Sequence, residues 1–82
     1  GAVLVDVRAP EEYFVRAVPG SINIPLRQLE SRAGELDRNR ELIINCKLGL
    51  RSYMALLKLK TLGFEKVSIL EGGLAAYPFE TA

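Results

Sequence analysis

The sequence predicts a three-layer α/β fold, with a mostly parallel sheet of four to five strands and helices on both faces. Short apolar runs that suit buried strands alternate with segments whose apolar residues recur at helical spacing. Glycine or proline follows most of these segments, as expected where strands and helices end. The chain has 82 residues, of which 49% are hydrophobic, so we expect one domain with one small core.

The first half of the chain predicts two strands and two helices. Residues 3–5 form an aliphatic run that stops at Asp6, which favours a strand buried on both faces. A short helix is expected from residue 10, because a proline and two glutamates suit a first helical turn. Residues 21–24 alternate polar and apolar side chains and predict a strand. Residues 26–36 carry leucines and an alanine at helical spacing, which predicts one amphipathic helix.

The second half continues the same alternation. The predicted elements are a strand at 42–44, a helix at 51–62 closed by Gly63, a strand at 67–70, a turn at Gly72 and Gly73, and a short helix at 74–77. Ligands of parallel sheets bind beyond the carboxyl ends of the strands, so side chains that follow a strand are the first candidates for a site.

Composition argues against several kinds of function. Eleven basic and ten acidic residues are scattered and give a net charge of +1, so no nucleic-acid partner is expected. The apolar runs are far shorter than a membrane span and no leader is recognisable, which predicts a soluble, cytoplasmic protein without a membrane partner. With one cysteine and no histidine, we expect no disulfide, no metal site and no cofactor.

The single cysteine, Cys46, follows the strand at 42–44 and precedes Gly49 by three residues and Arg51 by five. A tight loop between this strand and the next helix would turn backbone N–H groups toward the sulfur. Such donors, at a helix N-terminus, lower a cysteine pKa from ~8.5 to about 3.5–7.5. Alternatively, Cys46 packs as a small apolar side chain, as free cysteines often do. The spacing of glycine and arginine favours a nucleophile.

Four segments carry a family resemblance: L-V-D-V-R-A-P-E-E-Y, V-P-G-S-I-N-I-P-L, C-K-L-G-L-R-S and L-E-G-G-L-A-A-Y. In this order and spacing the chain resembles a rhodanese-like domain over nearly its whole length. The family usually begins with a further strand and helix, which we expect residues 1–82 to lack. The segment after the cysteine is similar to rhodanese-like domains fused to flavin-dependent coenzyme A-disulfide reductases.

The resemblance implies a site and an activity. Rhodanese-like domains carry sulfane sulfur as a cysteine persulfide, so Cys46 would be the catalytic sulfur acceptor. Asp6 and Arg8 would form a supporting polar network beneath the loop. The loop that binds the substrate would comprise Lys47, Leu48, Gly49, Leu50, Arg51 and Ser52.

The implied reaction is a sulfur transfer. The donor would be thiosulfate, a polysulfide or an organic persulfide, and a thiol or cyanide would accept the sulfur. Lys47 and Arg51 would attract an anionic donor, while the neighbouring leucines would equally suit an organic one.

Two other functions compete with this interpretation. The helix at 51–62 is apolar on two sides, with Met54 and Leu57 outside its main apolar arc, which suggests a docking or regulatory module of a larger redox enzyme. A cysteine phosphatase of the rhodanese-like type is disfavoured. The loop of such phosphatases has five residues between the cysteine and the arginine, whereas four residues separate Cys46 from Arg51.

Overall fold

The structure is a computed structural model, and it describes residues 1–46 and 49–70. The described strands are β1 (Val3–Asp6), β2 (Ile22–Asn23), β3 (Leu42–Asn45) and β4 (Val67–Ile69). The described helices are α1 (Pro10–Val15), α2 (Leu29–Arg32) and α3 (Leu50–Thr61), with 3₁₀ turns at Leu26–Gln28 and Ala33–Glu35 on either side of α2. None of the helices in this part of the chain is both long and apolar enough to cross a membrane.

The four strands form one parallel sheet in the order β2-β1-β3-β4. The connection that contains α1 leads from β1 to β2 at one edge of the sheet. The connection that contains α2 returns to β3, next to β1, and α3 connects β3 to β4 at the other edge. Because such crossovers are right-handed, the connection from β1 to β2 runs on the face of the sheet opposite to the connections from β2 to β3 and from β3 to β4. The predicted parallel α/β fold class is therefore confirmed.

The core lies between the sheet and the helices α2 and α3. Val5 and Ile44 from the strands are fully buried, as are Ile24 directly after β2, Leu29 of α2 and Leu59 of α3. Fully burying one such side chain contributes about 1.5–3 kcal/mol to folding. This layer packs against β1 and β3, whose carboxyl ends lie side by side in the sheet.

The predicted helix at 26–36 is wrong as one continuous helix. Its apolar positions are buried as the spacing indicated, but α2 has only four residues between two 3₁₀ turns. Ser31 donates its hydroxyl to the carbonyl of Gln28, and Gly34 has a low helix propensity. The apolar side chains of this segment thus face the core at helical spacing, although the segment is not one continuous α-helix.

The other element boundaries differ by small amounts. The second strand, expected at 21–24, has two residues, because Ser21 donates its N–H to Val18 in a turn and Pro25 has no N–H to give. Helix α3 begins at Leu50, one residue before the expected start. The turn predicted at 72–73 and the helix predicted at 74–77 lie outside the described residues.

Candidate active site

Cys46 lies immediately beyond the carboxyl end of β3 and is 1% exposed. Its sulfur accepts the backbone N–H of Gly49 at 2.9 Å and the backbone N–H of Ser52 at 3.3 Å. The loop therefore folds back so that amides on its far side reach the sulfur. Lys47 and Leu48, between these points, lie outside the described residues.

Gly49 gives the loop the backbone conformation that this return requires. Its φ is +100°, in the left-handed region that glycine adopts readily, and it stands directly before the first residue of α3. A Cβ built on Gly49 would meet no atom within 4 Å, so the backbone conformation and not space favours glycine. In the first turn of α3 the N–H of Ser52 then reaches the sulfur, and Leu50 is largely exposed.

These donors suit a sulfur atom that carries negative charge. Two N–H groups converge on Cys46, and the positive end of the α3 dipole lies at the same place. Such an environment stabilises a thiolate without a histidine, and the chain contains none. The arrangement can support nucleophilic attack by sulfur.

Arg51 makes a two-pronged ion pair with Glu12 of α1. Its two terminal nitrogens donate to the two carboxylate oxygens at 2.7 and 3.1 Å. Hydrogen bonding to Arg51 lowers the pKa of Glu12 from 4.5 to about 2, and hydrogen bonding to Glu12 raises the pKa of Arg51. The charge of Arg51, expected to face a donor, is thus directed in large part to Glu12, and the pair ties α1 to the cysteine loop.

Asp6 and Arg8 form a buried ion pair at the carboxyl end of β1. The guanidinium of Arg8 donates to both carboxylate oxygens of Asp6, with distances of 2.8–3.1 Å, and the Arg8 backbone N–H adds a bond of 2.9 Å. Arg8 also donates to the carbonyl of Arg16 at the end of α1. The pair fixes the chain that follows β1, next to the end of β3.

Sequence reasoning missed three polar residues of this region: Glu12, Asn23 and Asn45. Asn23 donates its amide to the carbonyls of Asp6 and Arg8, both at 3.0 Å. Asn45 stands beside Asp6 in the sheet register and is fully buried. A sequence signal was present for Asn45, which ends an apolar strand segment as Asp6 does, whereas Asn23 lies inside an alternating segment.

Two of the buried side chains around Cys46 keep unused hydrogen-bonding capacity. Both polar atoms of the Asn45 amide and the hydroxyl of Ser52 lack a partner within the described part of the chain. Ser52 nevertheless contributes its backbone N–H to the sulfur. The contact with Cys46 therefore depends on the backbone of Ser52 and not on its side chain.

A groove of about 500 Å³ opens beside the end of β1. Its lining residues are Val7, Ala9, Pro10, Glu11, Pro25, Leu26, Arg27 and Arg51. Val7 donates its N–H to the carbonyl of Asn45, so it lies next to Cys46 across the sheet. The groove thus runs alongside the cysteine loop. In residues 1–46 and 49–70, no group of three or more acidic, histidine or cysteine side chains could hold a metal ion.

Comparison with known proteins assigns the family. The rhodanese-like domain family matches residues 1–78. The chain belongs to the rhodanese-like domain family. The expected family resemblance is therefore confirmed, and the parallel α/β fold agrees with solved rhodanese-related structures.

Relatives and solved structures agree with this family. YrkF of Bacillus subtilis (strain 168), whose name proposes a role as a sulfur carrier protein, is 41% identical over 78 residues, 95% of this chain and 42% of that protein. A protein named sulfurtransferase from Allochromatium vinosum is 33% identical over 75 residues, 92% of this chain and 70% of that protein. The crystal structure of reduced Bacillus anthracis CoADR-RHD has a TM-score of 0.85 and 40% identity, over 92% of this chain and 13% of that one.

The chain thus spans less than half of one of these relatives and a small part of the Bacillus anthracis protein. Rhodanese-like domains of this kind occur within larger proteins.

Proposed function

We propose that residues 1–82 form one rhodanese-like domain that accepts sulfane sulfur on Cys46 and passes it to an acceptor. The observation that carries this proposal is the pair of backbone N–H groups, from Gly49 and Ser52, that meet the sulfur at the N-terminus of α3. A sulfur that only filled the core would not require polar donors. The sulfurtransferase and sulfur-carrier names of the relatives support the same activity.

The first step forms a persulfide. The Cys46 thiolate attacks the outer sulfur of the donor, a bond forms between the two sulfurs, and the sulfur–sulfur bond of the donor breaks. With thiosulfate the electron pair leaves on sulfite, and the negative charge moves to the outer sulfur of the new persulfide. The N–H groups near the sulfur would stabilise this charge as it develops.

The second step returns the enzyme to its starting state. Cyanide, or the thiolate of an acceptor, attacks the outer sulfur of the Cys46 persulfide, and the bond to Cys46 breaks. Thiocyanate or a new persulfide leaves, and the thiolate is restored. In this scheme Lys47 attracts the anionic donor, and Arg51, held by Glu12, keeps the loop in place. Cytoplasmic thiols would be natural acceptors.

Thiocyanate formation tests the proposed activity. We expect the chain to convert thiosulfate or polysulfide with cyanide into thiocyanate, and Cys46→Ser to abolish the conversion because serine forms no persulfide. Ser52→Ala is the matched control: it keeps the backbone N–H that reaches the sulfur and should retain most of the activity. Equal thiocyanate formation by the wild type and Cys46→Ser would contradict the proposal.

A second candidate function, a docking module in a larger redox enzyme, is favoured by the surface of α3. Leu50, Tyr53, Met54 and Leu57 are all largely exposed and repeat at helical spacing on one side of the helix. The similarity to CoADR-RHD, of which the chain covers 13%, supports such a setting. A folded chain that binds no sulfur, yet self-associates until Met54→Lys and Leu57→Lys are introduced, would favour this function over sulfur transfer.

A further inference from the structure

We infer that the groove beside Cys46 binds the organic part of an amino-acid or short-peptide persulfide, with Arg27 contacting its carboxylate and Glu11 its ammonium group. The inference rests on the proposed function and names the donor class for the same site. Its basis is the size, the position and the charge pattern of the groove.

The groove is larger than an inorganic donor requires. Its volume of about 500 Å³ lies within the range of about 300–1,000 Å³ typical of sites for small organic molecules. Thiosulfate has only five heavy atoms. Apolar side chains make up most of the lining: Val7, Ala9, Pro10, Pro25 and Leu26. An organic body with methylene groups would bury these surfaces, whereas thiosulfate would leave them in contact with water.

Two residues that line the groove, Val7 and Arg51, are neighbours of the sulfur site. Val7 lies next to Cys46 across the sheet, through its N–H bond of 3.0 Å to the carbonyl of Asn45. Arg51 lines the groove and lies between Gly49 and Ser52, whose N–H groups reach the sulfur. A donor whose body lies in the groove can therefore place its outer sulfur at Cys46.

The charged residues of the groove distinguish a zwitterionic donor from an anionic one. Arg51 is held by Glu12, so the guanidinium available to a ligand is that of Arg27, which is exposed and makes no ion pair within the described part of the chain. Glu11 lines the same groove and carries the opposite charge. Pro10 and Pro25 have no N–H to offer, which leaves polar recognition largely to Arg27 and Glu11. Amino-acid and peptide thiols present both a carboxylate and an ammonium group.

The transfer step is balanced for such a donor. The Cys46 thiolate attacks the outer sulfur, the donor's sulfur–sulfur bond breaks, and its electron pair leaves on the inner sulfur. That sulfur takes up the proton of the outer sulfur and departs as the ordinary thiol. Cys46 keeps the outer sulfur as a persulfide anion, and no external oxidant or reductant is required.

Kinetics with three donors test the inference. We would compare glutathione persulfide, thiosulfate and the persulfide of 2-mercaptoethanol, whose organic part carries no charge, with cyanide as acceptor. Arg27→Glu should raise KM for glutathione persulfide about tenfold, because a charge-assisted contact is replaced by repulsion, with kcat changed less than about twofold. KM for the persulfide of 2-mercaptoethanol should stay within about twofold, and KM for thiosulfate should rise less than KM for glutathione persulfide. Glu11→Gln should raise KM for glutathione persulfide by about threefold.

Lys60→Glu is the matched control, because it makes the same change of charge at an exposed position near the other end of α3. It should leave KM for all three donors unchanged. Equal effects of Arg27→Glu and Lys60→Glu would overturn the inference, and so would an equal effect of Arg27→Glu on the three donors.

Failure of this inference differs from failure of the proposed function. If Cys46 takes sulfur from the donors but Arg27→Glu has no donor-specific effect, sulfur transfer stands and the assignment of the groove falls. If the folded wild type takes sulfur from none of them, both fall. An unchanged urea midpoint for Arg27→Glu would verify that the variant is folded, as its exposure predicts.

Discussion

The ion pair between Glu12 and Arg51 joins α1 to the cysteine loop, and Glu12→Gln tests its contribution to stability. Glutamine has nearly the same shape and can still accept the N–H of Ala9 at the start of α1, which Glu12 accepts at 3.0 Å. The substitution removes the charge that Arg51 contacts at 2.7 and 3.1 Å. The change in free energy of unfolding therefore reports mainly on the ion pair.

The magnitude follows from the pKa of Glu12, which is lowered from 4.5 to about 2, mainly by the hydrogen bond to Arg51 and to a smaller extent by the Ala9 N–H and the charges of Arg51 and Arg8. Without solvent screening, a shift of this size corresponds to about 3.4 kcal/mol, but the two side chains are 34% and 36% exposed, which reduces the expected value to about 1 kcal/mol. Because the pKa is lowered in the folded state, this stability is present above the unfolded-state pKa of 4.5. It is lost as the pH falls from about 4.5 to about 2.

Urea unfolding at several pH values measures this effect. At pH 7 we expect Glu12→Gln to lower the free energy of unfolding by about 1 kcal/mol, and the difference from the wild type should shrink toward zero near pH 2. Glu35→Gln is the matched control, since Glu35 pairs with Arg32 at the surface and should contribute less. A difference for Glu12→Gln that stays constant from pH 7 to pH 2, or that is absent at pH 7, would show that the charge of Glu12 does not stabilise the fold through Arg51.

Three further variants test the backbone and the buried polar groups by urea unfolding. Gly49→Ala should cost about 1 kcal/mol and slow alkylation of the thiol, because alanine is strained at φ +100°, whereas Gly34→Ala, with open space and no positive φ, should be neutral or stabilising; equal effects of the two would contradict this. Arg8→Met should cost about 3–5 kcal/mol by leaving the Asp6 carboxylate buried without its partner, and adding Asp6→Leu should recover much of that loss; no recovery would argue against the pair as the cause. Asn45→Leu should be neutral or stabilising, because it removes a buried amide without a partner in the described region; a loss above about 1 kcal/mol would show that the amide is bonded in solution.

Local patterns in the sequence predicted most of the fold. The apolar runs that became β1, β3 and β4 are short and bounded, and their alternation with helical segments determined a parallel sheet. The segment at 26–36 shows the limit of this reasoning. Its periodicity correctly indicated which side chains are buried, but helical continuity also depends on local competition from Ser31 and Gly34, which periodicity does not record.

The residues of the candidate site could likewise be predicted only in part from the sequence. Cys46 and Gly49 could be selected because they lie close together in the sequence, and the structure brings the Gly49 amide to the sulfur. The partner of Arg51 could not be predicted, because Glu12 is 39 residues away in the sequence. An acidic residue at Glu12 was also already explained by its place in the first turn of a helix. The position of Asn45 beside Asp6 likewise requires the register between β1 and β3.

The most direct test of sulfur transfer through Cys46 is the intact mass of the reduced chain after incubation with glutathione persulfide, thiosulfate or polysulfide. We expect the wild type to gain one sulfur atom, cyanide to remove it, and Cys46→Ser to gain none. A folded, reduced wild type that gains no sulfur from any of these donors would show that Cys46 is not a sulfur acceptor.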